Sequence, residues 1–317
     1  MSDRLLPMLQ CPSCRESITS SGDDALRCPA CDRRYPIVNG IPRFVPPENY
    51  ASNFGLQWNA FRRTQLDSHS GTHISRDRFL KQTGWREHDL RGKTVLDVGC
   101  GAGRFAEIAL SLGAHVVALD YSSAVEATRD NLGANPKLDV VQASLYELPF
   151  KPDSFDYVYC FGVLQHTPNV RGAFEALRRP LKTGGRIAVD VYPNRFRSRL
   201  RTKHLVRPIT KRMPSSTLFS MTQRWVPRLL PVSLALGRVP RIGRWLRHLV
   251  PISNYEGLYP LNSQQIHEWA ILDTFDMLAP RYDSPQTERT LRAWFTAQGY
   301  RDVEIFFVEQ LVGRGVK

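Results

Sequence analysis

Short apolar runs recur between residues 92 and 192, and polar or glycine-containing turns separate them. Apolar runs of about four to eight residues bounded by turn signals are typical of strands that are buried in a sheet. The first run passes directly into a glycine-rich turn, which predicts the succession of strand, tight turn and helix. The predicted strands cover residues 95–98, 114–120, 138–143, 154–160 and 187–191.

A helix is predicted in front of this core, within the segment 48–91. Residues 72–84 have Thr72 or Ser75 as candidate N-caps and Gly84 as the residue at which the helix stops. We therefore expect this segment to form a helical cap or linker ahead of the first buried strand.

The last part of the chain predicts two helices and an edge strand. Residues 261–278 and 288–298 are helical in pattern, and residues 300–309 alternate apolar and polar side chains as an edge strand does. Only residues 312–317 then remain for a further strand, so we expect that strand to be short or absent. Three acids of this region, at positions 273, 276 and 283, either pair with basic residues or face a substrate.

The turn after the first predicted strand has glycines at alternate positions, Gly99, Gly101 and Gly103, which let the backbone approach a ligand closely. Asp97 ends that strand, and Asp120 ends the second predicted strand 23 residues later. A carboxylate at the end of the second strand can accept both hydroxyl groups of a ribose. The spacing differs from the G-x-G-x-x-G of dinucleotide-binding folds. It predicts a cofactor site, with a purely structural strand–turn–helix as the alternative.

Taken in order, the motifs of residues 92–192 resemble the class I methyltransferases that use S-adenosylmethionine, of the type 11 or UbiE-like kind. The resemblance implies a doubly wound, seven-stranded, Rossmann-like α/β sheet and S-adenosylmethionine as cofactor. Ser144 stands where that family often has an aspartate for the adenine amino group, so the backbone N–H of Leu145 is expected to share this contact. The implied cofactor-binding residues are Asp97, Gly99, Gly101, Gly103, Asp120, Tyr121, Ser144, Leu145, Phe161 and Trp58.

His166 is the candidate catalytic residue, because it follows the fourth predicted strand and is expected near the transferred methyl group. A neutral imidazole there can remove a proton from the acceptor, or the side chain can instead cap a helix or orient a loop. In similar methyltransferases the segment before the first strand covers the cofactor. Trp58 and Phe54 then lie near its methionine end, with Gln57 or Gln65 as a hydrogen-bond partner. The alternative is packing of the aromatic rings against the sheet.

Four of the six cysteines form two C-x-x-C pairs, Cys11 with Cys14 and Cys28 with Cys31. Four thiolates in this arrangement suit a tetrahedral Zn²⁺ ion. Since residues 1–47 hold little else that could form a core, the metal would supply much of their folding energy. All four ligand positions are filled by protein, so the site is expected to be structural. Disulfides or a redox pair are the alternatives.

Residues 33–42 strengthen the zinc interpretation, because they resemble small zinc-ribbon domains related to the methyltransferase activator subunit Trm112. An N-terminal zinc ribbon fused to the enzyme is therefore implied. The expected division of the chain is a zinc ribbon (1–47), a helical cap or linker (48–91), the methyltransferase core (92–192), a basic and mainly helical substrate insert after the fifth strand (193–285), and a return to the core (286–317).

The positive charge of the chain is concentrated in one segment. Lys and Arg number 43 against 30 Asp and Glu, and residues 191–255 hold 14 Lys and Arg without a single acid. Apolar residues are interleaved, and prolines at 208, 214, 227, 231, 240 and 251 are expected to break the segment into short helices.

Three roles fit this composition. The segment is a lid over an anionic acceptor such as a phosphorylated or nucleotide-linked sugar, a contact with an anionic membrane surface that admits a lipid-linked acceptor, or a nucleic-acid surface. We favour the first two, with peripheral membrane contact through residues 193–255. A solvated face without a specific partner is the remaining alternative.

Together these features predict an enzyme that methylates an O, N or C atom of a small metabolite that is anionic, sugar-linked or lipid-linked. An RNA base methyltransferase is the first alternative. The arrangement of a zinc ribbon ahead of such a core also resembles the ribosomal-RNA guanine methyltransferases, and the positive charge fits an RNA substrate. Against it, Cys160 to Val163 stand where many base N-methylating enzymes carry N/D-P-P-Y/F. A non-catalytic protein that binds the cofactor or a partner is the second alternative.

The expected location is the cytoplasm, with contact at the inner membrane surface. The chain shows no signal-peptide hydrophobic region after its first residues and no apolar run of about 18 residues that would predict a spanning helix. Reduced cysteines also fit a cytoplasmic protein.

Overall fold

The computed structural model describes residues 1–22, 24–46, 49–194 and 203–317. Residues 1–46 begin with the short helix α1 (Leu5–Met8) and form a small antiparallel sheet in the order β1-β2-β3-β4. Its strands are β1 (Thr19–Ser20), β2 (Ala25–Arg27), β3 (Arg34–Val38) and β4 (Ile41–Pro42).

The central sheet has seven strands: β5 (Thr94–Val98), β6 (His115–Asp120), β7 (Leu138–Gln142), β8 (Phe155–Cys160), β9 (Leu181–Val191), β10 (Arg301–Val308) and β11 (Gln310–Val316). Their order in the sheet is β10-β11-β9-β8-β5-β6-β7. The strands β9, β8, β5, β6 and β7 are parallel, whereas β11 runs antiparallel to both of its neighbours. The predicted doubly wound seven-stranded sheet is confirmed, and its order reverses between β5 and β8.

The last strand is longer than the sequence predicts. We expected it to be short or absent, yet β11 pairs with β9 from Leu311 opposite Val191 to Val316 opposite Arg186. The expectation was wrong because the turn before β11 takes only one residue. Glu309 has the left-handed backbone (φ 56°), so the chain reverses between Val308 and residue 310 and leaves enough residues for a full strand.

Twelve helices accompany the strands in the described part of the chain: α2 (Ser52–Ala60), α3 (Asp67–Ser70), α4 (Ile74–Thr83), α5 (Glu87–Leu90), α6 (Arg104–Ser111), α7 (Ala124–Leu132), α8 (Val170–Ala176), α9 (Lys203–Thr210), α10 (Ser215–Gly237), α11 (Gly243–Leu246), α12 (Ser263–Leu278) and α13 (Glu288–Ala297). Alternate residues of β5 point to opposite faces of the sheet. Leu96 packs in a core with Phe174 of α8 and Phe295 of α13, and Val95 packs in a second core with Phe79 and Phe105. Helices therefore cover both faces of the sheet.

The predicted helix 72–84 is present as α4, but its beginning differs from the expectation. Its N-cap is His73, which makes no side-chain cap, and neither Thr72 nor Ser75 fills that role. The carboxylate of Asp67 instead accepts from the backbone N–H of Ser75 (3.0 Å) and of the next residue (2.8 Å). This acid is presented by the preceding helix α3. The predicted end at Gly84 is confirmed, with φ 70°.

The segment 1–46 is joined to the free edge of β7. The backbone N–H of Phe44 donates to the carbonyl of Gln142 (2.8 Å), and the side chain of Arg43 donates to the side-chain oxygen of Gln142 (2.9 Å). Leu9 and Phe150 are both fully buried in the shared core. One bridge, between Arg43 and Gln142, therefore links this segment to the end of β7, and the segment covers part of an edge that would otherwise be open.

The insert after β9 is helical, as predicted, although its long helix is not broken by proline. Pro227 and Pro231 lie inside α10, which spans 23 residues. The helix continues past them because Val226 and Leu230 are buried against Ala270 of α12. The expectations for residues 195–202 fall outside the described residues. Within the described residues, none of the helices is sufficiently long and apolar to cross a bilayer.

Candidate active site

A large cavity lies beyond the carboxyl ends of β5, β6 and β8, where the strand order reverses. Ligands bind at this position in open α/β sheets. The cavity encloses about 1620 Å³, and its walls include the turns after these strands, α2, the segment 246–259 and α12. Ligand pockets commonly measure about 300–1,000 Å³. This cavity therefore has room for a cofactor and an acceptor side by side.

The glycine-rich turn after β5 adopts a backbone that other residues rarely take. Gly99, Gly101 and Gly103 have φ angles of 82°, 54° and 88°. A Cβ atom at Gly99 would lie 2.1 Å from Val163, and one at Gly101 would lie 3.1 Å from the indole ring of Trp58. The ring of Trp58 therefore lies directly over the turn. Its position relative to a bound cofactor stays a prediction.

Two buried carboxylates end the neighbouring strands β5 and β6. Asp97 is 2% exposed, and its Oδ2 atom has no hydrogen-bond partner among the described residues. Burial raises the pKa of Asp97 to about 8. Asp120 accepts from the backbone N–H of Gly101 (3.0 Å) and from the backbone N–H (2.8 Å) and hydroxyl (2.7 Å) of Ser122. Asp120 thus fixes the glycine turn, while Asp97 retains an unused acceptor.

Most of the residues predicted from the sequence meet at the cavity, although three lie behind its wall. Ser144 uses its hydroxyl to accept from the backbone N–H of Tyr146 (3.2 Å), within the 3-10 turn Leu145–Glu147. Its contact with a cofactor stays a prediction. The lining residues from the predicted set are Gly99, Gly101, Asp120, Tyr121, Leu145, Phe161, Trp58 and His166, and those behind the wall are Asp97, Gly103 and Ser144.

His166 lines the cavity with one ring nitrogen bonded and the other unused. Its Nδ1 atom lies 3.0 Å from the carbonyl oxygen of Tyr282. Because a carbonyl can only accept, Nδ1 carries the proton and Nε2 presents a lone pair. Nε2 is buried and has no partner in the described part of the chain. The ring is held between Phe54 (5.4 Å between centroids) and Tyr192 (5.2 Å). The unpartnered Nε2 atom suits a proton acceptor, and the bond from Nδ1 to Tyr282 also orients the loop that contains Tyr282.

Comparison with known families finds matches for two segments of the chain. Residues 96–189 match the family described as "Methyltransferase domain", and residues 2–40 match the "Trm112p-like protein" family. The chain carries a methyltransferase domain. The Trm112p-like segment precedes it and covers its β7 edge.

Individual relatives resemble mainly the methyltransferase domain. A sterol 24-C-methyltransferase of Gibberella zeae is 37% identical over 116 residues, which are 32% of this chain and 30% of that protein. A ubiquinone biosynthesis O-methyltransferase of Paraburkholderia xenovorans is 37% identical over 99 residues, or 30% of this chain and 43% of that protein. A structure of phosphoethanolamine N-methyltransferase 2 of Haemonchus contortus with S-adenosyl-L-methionine is 16% identical, with a TM-score of 0.46 over 86% of this chain and 48% of that chain. The chain thus spans less than half the length of each of these relatives.

Gly99→Ala should weaken S-adenosylmethionine binding to the methyltransferase domain by about tenfold or more. The added Cβ meets Val163 at 2.1 Å and forces alanine into a left-handed backbone, and overpacking of this kind costs about 1–3 kcal/mol. Isothermal titration with the cofactor measures the change. Gly92→Ala is the matched control, since Gly92 has φ 71° but no described atom within 4 Å of the added Cβ. Equal losses of cofactor affinity in both variants would show that the contact between the added Cβ and Val163 is not the cause.

Asp190, a third strand-end acid of the methyltransferase domain, is not among the residues predicted from the sequence. Asp190 is fully buried at the end of β9 and accepts from the backbone N–H of Gly162 (2.5 Å), from Arg78 (2.8 Å) and from Gln82 (3.1 Å). It therefore fixes the turn after β8, next to Phe161. A charged residue inside the apolar run 187–191 was the signal that could have revealed it.

The three acids left open by the sequence have two different roles. Asp283 pairs with Lys203 (3.3 Å) and Arg207 (3.7 Å) of α9. Asp273 and Asp276 instead line the cavity.

Their contacts make one end of the cavity rich in acceptor atoms. Asp276 accepts from the hydroxyl of Tyr192 (3.4 Å) and from Gln57 (3.5 Å), and Asp273 accepts from the hydroxyl of Tyr255. Enclosure in the cavity raises the pKa of Asp273 to about 7.

The four cysteines of the Trm112p-like segment converge on one point. Their sulfur atoms all lie within 4.8 Å of one another, with 3.6 Å between Cys11 and Cys31 and 3.4 Å between Cys14 and Cys28. These separations exceed the disulfide bond of about 2.05 Å, so none of the four is paired covalently. Zinc–sulfur bonds of about 2.3 Å in a tetrahedron leave comparable sulfur–sulfur distances. The geometry therefore fits a tetrahedral metal ion.

Proposed function

We propose that this protein transfers the methyl group of S-adenosylmethionine to an O, N or C atom of a small acceptor. The observation that carries the proposal is that His166, whose buried Nε2 atom has no partner in the described chain, lines the same cavity as the glycine turn and Asp120. The match of residues 96–189 to methyltransferase domains supports it.

The site fits the cofactor on two observations. Gly99 and Gly101 line the cavity with backbone and no side chain, and the carboxylate of Asp120 lines it beside them. Asp120 would accept from hydroxyl groups of the cofactor, while Trp58 and Phe161 would enclose it. A contact with Asp97, which does not line the cavity, stays a prediction. When bound, S-adenosylmethionine supplies an electrophilic methyl group on a sulfonium sulfur. The leaving group is the sulfur, which becomes a neutral thioether.

His166 is proposed to take the proton that an O–H or N–H acceptor loses. As the acceptor lone pair forms the new bond to carbon, that proton moves to Nε2, and the ring becomes an imidazolium. The carbonyl of Tyr282 keeps the proton on Nδ1 and so maintains the reactive tautomer. Phe54 and Tyr192 hold the ring plane, which supports the positioning on which methyl transfer mainly depends.

The acceptor that fits this cavity presents hydroxyl or amino groups. Asp273 and Asp276 offer carboxylate oxygens, and the buried Oε1 atom of Gln57 has no partner in the described chain. Two of the basic residues that line the cavity are paired with acids, Lys203 with Asp283 and Arg78 with Asp190. Arg104, which also lines it, bonds Ser75 and Gln65. We therefore favour a sugar-linked or lipid-linked acceptor with free hydroxyl or amino groups over a purely anionic one.

His166→Gln is expected to lower methyl transfer about 100-fold while cofactor affinity stays unchanged, because a positioned general base contributes about 10²–10⁴ in rate. The assay follows label from methyl-labelled S-adenosylmethionine into a cell extract separated into RNA, lipid and small soluble fractions. His267→Gln is the matched control, since His267 also bonds a carbonyl through Nδ1 (2.7 Å) but is exposed on α12. If His166→Gln labels the extract as strongly as the wild type, His166 is not the catalytic base. If the label enters RNA, the acceptor is not a small molecule.

A structural zinc ion is proposed for the Trm112p-like segment. Cys11, Cys14, Cys28 and Cys31 would occupy all four tetrahedral positions, which leaves none for a reacting water molecule. The metal would then stabilise the segment and take no part in methyl transfer.

A further inference from the structure

Exposed apolar side chains are concentrated in the insert. Among the side chains that the structure describes, nine of the twelve large apolar residues that are exposed lie between residues 205 and 258. Single exposed apolar residues are ordinary, but a cluster of them marks an interaction surface. The nine are Leu205, Ile209, Met221, Trp225, Val232, Val239, Ile242, Leu249 and Leu258.

One stripe of α10 carries several of these residues. Met221, Trp225, Arg228 and Val232 follow one another at intervals of four, three and four, which places them on one side of a helix. Trp225 is 56% exposed and Val232 is 50% exposed. The opposite side of the helix is buried against α12 and the rest of the insert. The outward stripe therefore has no partner within the described chain.

Charge on this surface has one sign. Arg224 and Arg228 are exposed beside Trp225, and Arg238 and Arg241 are exposed near the end of the helix. Arg238 pairs with Glu256, which is the first acid after residue 190 in the sequence. A surface that combines exposed indole and aliphatic groups with arginines complements an anionic lipid bilayer.

The same region reaches the mouth of the cavity. Leu249 is 62% exposed and Leu258 is 56% exposed, and both also line the cavity. The segment 247–249 packs against α10. The cavity therefore opens next to exposed apolar side chains, at the end of the helix that carries the outward stripe.

We infer that the outward stripe of α10, formed by Met221, Arg224, Trp225, Arg228 and Val232, docks on an anionic lipid surface. The apolar side chains would enter the boundary between headgroups and acyl chains while the arginines contact lipid phosphates. A nucleic acid would use the arginines but leave the aliphatic groups in water. A second copy of this surface would bring arginines against arginines, which repel. The inference does not depend on methyl transfer.

Sedimentation with vesicles tests the docking surface on the full chain. The wild-type protein should bind vesicles of equimolar phosphatidylcholine and phosphatidylglycerol and not vesicles of phosphatidylcholine alone. Arg224→Gln with Arg228→Gln should weaken binding about fivefold for each arginine removed. Trp225→Ser with Val232→Ser should weaken it about tenfold while the charge is unchanged.

Matched variants separate surface chemistry from general charge and folding. Arg289→Gln with Arg301→Gln removes the same charge from exposed positions outside the insert, and Val38→Ser removes an exposed apolar residue of the Trm112p-like segment. Both should bind vesicles like the wild type, and all variants should keep its thermal midpoint. Absence of wild-type binding, equal losses in the matched variants, or a dimer that the Trp225 and Val232 changes dissociate would each overturn the inference.

Discussion

Asp97→Asn is expected to stabilise the ligand-free protein by on the order of 3 kcal/mol at pH 8 and to weaken S-adenosylmethionine binding by about 100-fold. Asp97 is buried and one of its oxygens has no partner in the described chain, so its charged form is poorly solvated. Asparagine fills the same space without the charge. It also removes the carboxyl group at the end of β5, directly before the glycine turn, which is predicted to contact the cofactor.

The direction of the pH dependence follows from the raised pKa. Asp97 titrates at about 8 in the folded protein and at about 3.9 in an unfolded chain. Between these values the folded state binds more protons, so the free energy of unfolding falls as the pH rises from about 4 to 8. Asp273 contributes in the same direction, since its pKa is raised to about 7. Asp97→Asn should therefore flatten, but not abolish, this decline.

Chemical denaturation at pH 5 and pH 8 measures both effects, with cofactor titration alongside. Asp190→Asn is the informative control, because Asp190 is equally buried at a strand end but is paired with Arg78 (2.8 Å). Removing that carboxylate leaves the Arg78 guanidinium with only the more distant Glu309 (4.0 Å) and should destabilise the protein by about 3 kcal/mol. Opposite signs for the two variants are expected. Destabilisation by both would show that Asp97 is satisfied in the folded protein.

The core strands could be predicted from the sequence because each is a short apolar run that ends at a turn or an acid. The same local signals placed the glycine turn and the four cysteines. The start of α4 was missed because its capping acid, Asp67, comes from a separate helix and not from the helix itself. A capping rule that considers only adjacent residues cannot find a partner that folding brings in.

The chemistry of His166 depended on long-range contacts that no local pattern contains. Its tautomer is fixed by Tyr282, which is 116 residues away in the chain. The three acids of the insert likewise have different roles because of how the insert folds. Asp283 pairs with α9, whereas Asp273 and Asp276 line the cavity. Sequence reasoning could therefore propose these residues but could not assign their partners.

Removal of the proposed metal is expected to unfold residues 1–46 and to lower the stability of the whole chain by several kcal/mol. The sequence suggested that this segment holds little that could form a core, yet Leu5, Leu9, Ile18, Leu26 and Tyr35 are buried in the cluster that it shares with Phe150 of the sheet. The packing of these residues therefore depends on the segment being held in its folded form. Metal binding to such a segment is coupled to its folding. Thermal unfolding with and without a chelator measures the loss, and Cys28→Ser should reproduce it without chelator.

The contact between the segment and the sheet makes the prediction specific. If the metal holds the segment in place, its loss should release the hydrogen bond from the Phe44 N–H to Gln142 and leave the β7 edge open to pairing with other chains. Hydrogen exchange at Phe44 should then accelerate, and the protein should associate. Cys160→Ala, which changes a buried cysteine of β8 outside the cluster, should keep its sensitivity to chelator. Slow exchange at Phe44 after complete metal removal would mean that packing against Phe150 alone holds the segment on the sheet.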